Sequence, residues 1–422
     1  MTAERRLAEA CRLAADHWYG VPGFPVTGLV DAVGARLPVN EKVGLEHCLG
    51  HSLVGRRAGL IVKHVGLNAC ADPLVQATTQ GLSAGVVVLV GDDLDGRWSE
   101  NVQDSRYYGE VAEVPVIEPG HGNALECVEE AFRLSETHSR VVLVRLTPPL
   151  LEGGLQGDPL LREVRARPRP GLDLTHRGRY QRARRGTRAL FSWSTGSRLN
   201  RPGAGETGVG ASGGAARITT VYPPPGGIGP VPIRELGRPF VQEHRHLHPP
   251  PDAGEPETYQ RRGRRSTLCP GCPFGPAIAL LRERGLVPVC DTGCALFALA
   301  PPYEHGIPGF GLGSSIGVAA TSTGVALSGD YAFLHSGINA LIEAYATGTP
   351  LLAVILQNRC LAMTGRQASP DVAAFLDWSG PAVVEADDHE ALRRVLVPPE
   401  RPTTVIIRGR CPDGARYGTV EY

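Results

Sequence analysis

Lysine is almost absent from this chain: Lys42 and Lys63 stand against 41 arginines. Beside 53 glycines and 36 prolines, that imbalance reads as codon composition before it reads as a binding strategy. An excess of one charge is lacking too, since 43 basic residues meet 43 acidic ones. A neutral chain has no global attraction for nucleic acid or an anionic membrane surface. Long apolar runs are missing, and none approaches the roughly 20 residues of a spanning helix. The start, MTAERRLAEACRLAADHW, has the pattern of a charged amphipathic helix, without the apolar core or cleavage site of a signal peptide. The expected location is cytoplasmic. In that setting ten cysteines argue for thiol or metal chemistry over disulfide stapling.

What is present is enough chain for two or three domains and a large core. Over 1–150, the runs GLIVKH (59–64), GVVVLVGDD (85–93), VPVIEP (114–119) and VVLVRLT (141–147) are short, β-branched and closed by polar residues or glycine. Helical patterns lie between them, including 124–134 with Asn123 as its N-cap. Strands alternating with helices predict a mainly parallel sheet covered on both faces. Residues 151–266 differ. VRARPRPGLD, QRARRGTRAL, GAGETGVGASGGAA and VYPPPGGIGPVP are rich in Arg, Gly and Pro and offer few apolar runs. Such composition predicts a poorly structured connector, with IRELGRPFVQ (233–242) as one short ordered piece. Its arginine clusters could hold phosphate or RNA, but they lack interleaved aromatics. Residues 267–422 return to α/β, with VPVCDTGC, GVALSGD, PLLAVILQN, AVVEADD and TTVIIRG as strands. The expected fold class is α/β: two domains with mainly parallel sheets, joined by an Arg/Gly/Pro-rich connector.

The chemistry centres on 326–364. Apolar Val325 to Leu327 leads to Gly329-Asp330, Ile338, Leu341, Ile342 and Tyr345 follow at helical spacing, and Leu351 to Leu356 leads to Asn358. This is a βαβ unit with a polar residue at the carboxyl end of each strand, where open α/β sheets place ligands. Neighbouring parallel strands would bring Asp330 and Asn358 together. A carboxylate, an amide oxygen and a backbone carbonyl, for which Cys360 is placed, make a hard and sparse oxygen site. Mg²⁺ suits it when a diphosphate and water supply the other ligands. A lone Gly-Asp after a strand is otherwise only the start of a loop. The pattern resembles the Gly-Asp…Asn signature of thiamine diphosphate (ThDP) enzymes.

Further blocks make the resemblance specific. NEKVGLE (40–46), VKHVGLNACADPL (62–74), NVQDSRYY (101–108), CPGCP (269–273), DTGC (291–294), GLGSSIG (311–317), FLHSGI (333–338) and QNRCLAMTG (357–365) resemble the α subunit of the indolepyruvate:ferredoxin oxidoreductase family. The likeness spans roughly 20–150 and 266–411. That family oxidatively decarboxylates aryl pyruvates such as indolepyruvate to acyl-CoA and passes electrons to ferredoxin. The resemblance implies that 1–150 binds the aminopyrimidine (a PYR domain) and 267–422 binds the diphosphate with Mg²⁺ (a PP domain), with the two meeting across a homodimer. It also implies a β-type partner subunit. Glu41 would hold N1′ of the aminopyrimidine, with Glu46 as the competing glutamate. Gly313, Ser314, Ser315 and Gly329 would flank the diphosphate, Asp330, Asn358 and the Cys360 carbonyl would hold Mg²⁺, and His64 and His335 would carry protons. For either histidine a satisfied structural role is the alternative.

The cysteines divide. Cys11, Cys48, Cys70, Cys127 and Cys290 read as small core residues. Cys269, Cys272, Cys294 and Cys411 resemble the four ligands of a 4Fe–4S cluster beside ThDP, although a CxxC would equally suit zinc or a redox disulfide. The chain departs from the family by ending eleven residues after Cys411, without a ferredoxin-like domain, and by its connector. Two alternatives therefore stay open: a non-oxidative 2-oxoacid decarboxylase or carboligase, and a non-catalytic scaffold subunit.

Overall fold

Strand-forming runs and the helices between them build two units in the computed structural model, which describes residues 2–162, 176–226, 233, 234, 236, 264–414 and 416–421. Among those residues, the strands of the first unit are β1 (His17–Gly20), β2 (Ala58–Lys63), β3 (Val86–Gly91), β4 (Val116–Ile117), β5 (Val142–Leu146), β6 (Thr207–Val209), β7 (Ala216–Ile218), β8 (Thr220–Tyr222) and β9 (Ile233–Arg234). Six of them form one sheet in the order β1-β2-β3-β5-β4-β8, parallel except for β8 on β4. Val86–Gly91 is buried along its whole length, as a strand covered on both faces must be. The four expected strands lie where the apolar runs put them. The first strand, HWYG, was not expected, because four residues carry too little pattern.

The region expected as a poorly structured connector is partly folded, which corrects that reading. A helix spans His176–Thr195, β8 extends the main sheet, and β7-β6-β9 form a small parallel sheet. Its apolar anchors are few but buried: Leu190, Leu199, Val209, Ile218 and Val221 are each at most 4% exposed. Scattered singly among Arg and Gly, they make no run, and only packing on a preformed sheet reveals them. Beyond Ile233, Arg234 and Leu236, the piece 233–242 lies outside the described residues.

Ionic groups are also buried in this unit. Arg57 donates to both oxygens of Glu136 at 2.7 and 2.9 Å and to Glu129 at 2.8 Å. Arg145 pairs with Asp92 at 2.6 Å and Glu118 at 2.9 Å. Such forks are strong because both partners are charged and planar.

The second unit contains β10 (Arg264–Thr267), β11 (Val289–Cys290), β12 (Ile307–Pro308), β13 (Val325–Gly329), β14 (Leu351–Gln357), β15 (Ala382–Glu385), β16 (Pro402–Arg408) and β17 (Gly418–Glu421). β10 and β17 pair antiparallel, and the others form a fully parallel sheet in the order β12-β11-β13-β14-β16-β15. The chain runs outward from β11 to β12, then returns to the other side of β11 as β13. That reversal is a topological switch point, where the loops leaving two strands part and open a crevice. Between β13 and β14 the helix is interrupted: Asp330–Ala332 is α-helical, Phe333–Gly337 is a π-helical turn, and Ile338–Thr347 is α-helical again. Its buried stripe is Ala340, Leu341 and Ala344, and Ile342, one of the four apolar residues at helical spacing, is 42% exposed.

A histidine group in the first unit gives a pH dependence. The rings of His17 and His51 stack at 3.8 Å, and the Tyr19 hydroxyl lies 3.1 Å from His51 Nε2. Burial, then the charges of His17, His47, Arg56 and Arg36, push His51 down to about 3. A folded-state pKa below the unfolded value means that the unfolded chain takes up the proton first. The stabilisation is whole above about pH 6.5 and is lost as pH falls toward about 3. Urea unfolding between pH 7 and 5 is expected to show the decline, and His51→Gln to flatten it.

Candidate active site

The parallel register of β13 and β14 sets Gly329 opposite Leu356, so Asp330 and Asn358 leave the sheet side by side. Asp330 is 3% exposed. Its carboxylate accepts from the Tyr331 N–H on one oxygen and the Arg359 N–H on the other, both at 2.7 Å. Burial pushes this carboxyl up, against the opposing pull of those backbone donors. Arg359 turns the chain with φ 57°, an uncommon left-handed conformation for a side chain of its size. Cys360 N–H then donates to Asn358 Oδ1 at 3.2 Å, and Asn358 Nδ2 donates to Cys411 Sγ at 3.2 Å. The loop folds back through Ser369 N–H to Arg359 O at 3.0 Å.

These strand ends open on a cavity of about 330 Å³ lined by Gly293, Cys294, Gly329, Asp330, Asn358 and Cys360, among others. A Cβ added to Gly293 or Gly329 would meet nothing within 4 Å. Two glycines thus leave the wall open where side chains would fill it. The pocket combines one buried carboxylate with amide and carbonyl oxygens, a ligand set for a hard cation.

The GLGSSIG stretch behaves differently from the expectation. Asp291, at the end of β11 and fully buried, gathers its donors. Oδ1 accepts from Thr292 N–H and Gly313 N–H, both at 2.8 Å. Oδ2 accepts from Ser315 Oγ at 2.8 Å, Ser315 N–H at 3.2 Å and Ser328 Oγ at 3.2 Å. Ser314 Oγ donates to Gly311 O at 2.9 Å and accepts from Phe310 N–H at 2.8 Å. The groups expected to face a phosphate are therefore engaged inside the protein. Gly313 itself is required by space: its φ is 81°, and a Cβ there would stand 2.3 Å from Ser336 Oγ and 2.7 Å from Gly337 N.

All four suspected ligand cysteines and Cys360 are partly exposed, whereas the five assigned to the core are buried. Cys272 lies close to Cys269 and Cys411, and Cys360 close to Cys411. Burial, then the neighbouring cysteines, pushes Cys294 up to about 12. Among the described residues no three His, Cys, Asp or Glu side chains converge to hold a single metal ion. His335 lies in the π-helical turn, exposed, with Nδ1 3.3 Å from Ser336 Oγ.

In the first unit, Asn40 caps the helix Glu41–Leu53 by accepting from Val43 N–H at 2.9 Å. Glu41 lies half-buried against Gly66, whose added Cβ would stand 2.6 Å from Glu41 Oε1. Glu46 is buried in an ion pair with Lys42. His64 is fully buried, with Nε2 3.0 Å from Asn101 O and Nδ1 accepting from Asp93 N–H at 3.4 Å. Both ring nitrogens are thus occupied, which is the structural alternative for this residue.

Comparison with known proteins follows the same division. Residues 295–385 match the family described as thiamine pyrophosphate enzyme, C-terminal TPP binding domain. Indolepyruvate oxidoreductase subunit IorA of Methanothermobacter thermautotrophicus is 27% identical over 89% of this chain and 76% of its own length. The same subunit of Pyrococcus abyssi is 26% identical over 83% and 72%. The chain is a distant homologue of IorA, with a thiamine pyrophosphate enzyme C-terminal domain. A ThDP-dependent 4-hydroxybenzoylformate decarboxylase of Rhodococcus jostii RHA1 shares the fold, with a TM-score of 0.56 at 14% identity over 98% of this chain and all of that one.

In this IorA homologue two site residues escaped the sequence reading. Asp291 was visible only as part of the block DTGC, although an acidic residue directly after a strand was the signal used for Asp330. The thiol of Cys360 went unnoticed because only its carbonyl had a task. Asp291→Asn replaces an acceptor of backbone and hydroxyl donors with a group that must point an NH₂ at some of them. The unfolding free energy from urea titration is expected to fall by about 1.5–3 kcal/mol, the worth of a hydrogen bond to a charged group. Ser322→Ala, on a partly exposed hydroxyl that donates only to Val318 O, should cost less.

Proposed function

We propose that this chain binds ThDP through Mg²⁺ and decarboxylates a 2-oxoacid, an aryl pyruvate such as indolepyruvate, oxidatively, passing electrons to an iron–sulfur acceptor and the acyl group to CoA. The observation that carries the reading is the pair Asp330 and Asn358 at adjacent strand ends, opening on the cavity with Cys294 and Cys360. When bound, the cofactor would supply a carbon nucleophile and a cationic ring that takes up the electron pair left by departing CO₂.

The residues fit that group. Asp330, the Asn358 amide oxygen and the Cys360 carbonyl would hold Mg²⁺. Gly293 and Gly329, with no atom within 4 Å of an added Cβ, leave a cradle for the diphosphate. Gly313 would shape that cradle through its tight turn, while Ser314 and Ser315 would hold the loop and not the phosphate. Glu41 would keep a proton at N1′ of the aminopyrimidine, a role its paired competitor Glu46 fits less well. His335, exposed in a π-helical turn of the kind that often marks functional sites, is the better proton carrier; His64 would have to surrender a hydrogen bond first.

Cys269, Cys272, Cys294 and Cys411 would hold the 4Fe–4S cluster. A single zinc ion draws its thiolates to about 2.3 Å from one point, and no such convergence is present among the described residues. A cluster, with each thiolate on its own iron, does not require it. A β-type subunit and ferredoxin are the partners this implies, and pairing of two copies of the chain is proposed with them.

Two measurements test the reading. Asp330→Ala removes the one charged Mg²⁺ ligand, so ThDP affinity by calorimetry should fall at least about tenfold; near-normal binding would remove the basis of the assignment. Anaerobic turnover of indolepyruvate by the chain alone should be slow, and a β-type subunit, CoA and an electron acceptor should restore acyl-CoA formation. Aldehyde or a carboligation product formed at full rate, indifferent to those additions, would make the enzyme a non-oxidative decarboxylase or carboligase.

A further inference from the structure

Cys360 carries a thiol that the proposed function does not use. It lies beside Cys411: Cys360 N–H donates to Asn358 Oδ1 at 3.2 Å, and Asn358 Nδ2 donates to Cys411 Sγ at 3.2 Å. Strand register explains the meeting. Gln357 of β14 pairs with Arg408 of β16 in parallel, and Gly409 N–H extends the pairing to Gln357 O at 3.0 Å. Cys360 and Cys411 each follow those paired residues by three positions. Both are partly exposed, so a small oxidant can reach them. Cys269 is instead tied to Cys272, whose N–H donates to Cys269 O at 3.0 Å.

We propose that Cys360 and Cys411 form an oxidation site, a dithiol that closes into a disulfide across the ends of β14 and β16 whenever Cys411 holds no metal. The oxidant is a small-molecule disulfide such as oxidised glutathione. The thiolate of one cysteine attacks its S–S bond, forming a mixed disulfide and releasing one glutathione thiolate. The second cysteine then displaces the other. One S–S bond forms and one breaks; the protein thiols lose two electrons and two protons, and two glutathione thiols carry them away.

The closure also reaches the cavity. Asn358 Nδ2 would lose the free sulfur it donates to, and the loop that starts at Asn358 would be tied to the end of β16. This consequence rests on the proposed function, which makes Asn358 and the Cys360 carbonyl ligands of Mg²⁺. The bond itself does not.

The test uses the full chain after iron chelation, equilibrated with graded ratios of reduced and oxidised glutathione, alkylated and digested with trypsin. Cleavage after Arg359, Arg366, Arg410 and Arg416 isolates CLAMTGR and CPDGAR. Their linked mass should dominate for Cys360 under oxidising conditions, and Cys360→Ser should leave Cys411 as a glutathione adduct. Cys360 still alkylatable in excess oxidant, or linked to Cys294, would overturn the site. Calorimetry with Mg²⁺ and ThDP should show affinity lower by about tenfold in the oxidised protein, restored by dithiothreitol, with no oxidant dependence in Cys360→Ser. Equal affinity in both states would overturn the effect on the loop while leaving the disulfide. Failure of the reduced protein to bind ThDP would instead count against the proposed function, and the peptide map would still decide the thiol pair.

Discussion

The second unit depends on how three parallel strands end. β11, β13 and β14 finish at nearly the same level, in the registers Cys290 with Leu327 and Gly329 with Leu356. Asp291, Asp330 and Asn358 therefore emerge together at the reversal between β11 and β13. Parallel pairing does this without any side-chain contact between the strands. Shifting β14 by one residue would turn its inward side chains outward and carry Asn358 away from Asp330.

Two carboxylates at that edge have opposite duties. Asp291 is saturated by N–H and O–H donors from its own loop, from GLGSSIG and from Ser328, and so locks the loops that frame the crevice. Asp330 also accepts from backbone, yet it lines open space and keeps capacity for a cation. Identical chemistry is closed off in one place and open to the cavity in the other, and the difference lies in which donors arrive. The buried carboxylate in turn explains why Gly313 has no substitute: the turn that delivers its N–H to Asp291 leaves no room for a Cβ.

The cysteines extend the same logic beyond the cavity. Cys294 follows β11, Cys360 follows β14 and Cys411 follows β16, so the sheet that aligns the oxygen ligands also gathers the thiols. Under the proposed function, a site for cation and diphosphate would stand next to one for sulfur-bound iron, which is the arrangement that an oxidative decarboxylation requires of its electron path.

The sequence by itself determined the fold class. Runs such as VVVLVG and LLAVILQ, buried on both faces, are strands by composition alone, and the Gly-Asp and Asn that close two of them stand at adjacent strand ends, as their positions in the chain implied. The division of ten cysteines into five buried and five partly exposed was legible for nine, five from apolar context and four from the family resemblance. Tertiary structure decided the rest. It folded Leu190, Leu199 and Val221 onto a sheet from a stretch too rich in Arg and Gly to predict one. It turned Ser315 of GLGSSIG onto a carboxylate 24 residues away in the chain and Ser314 onto the backbone of Gly311 and Phe310, and it satisfied His64 with backbone partners from 93 and 101. It also joined Cys360 to Cys411 across 51 positions. Each of these results turns on where a donor or a small apolar side chain meets a distant partner, and periodicity along the chain carries no record of that.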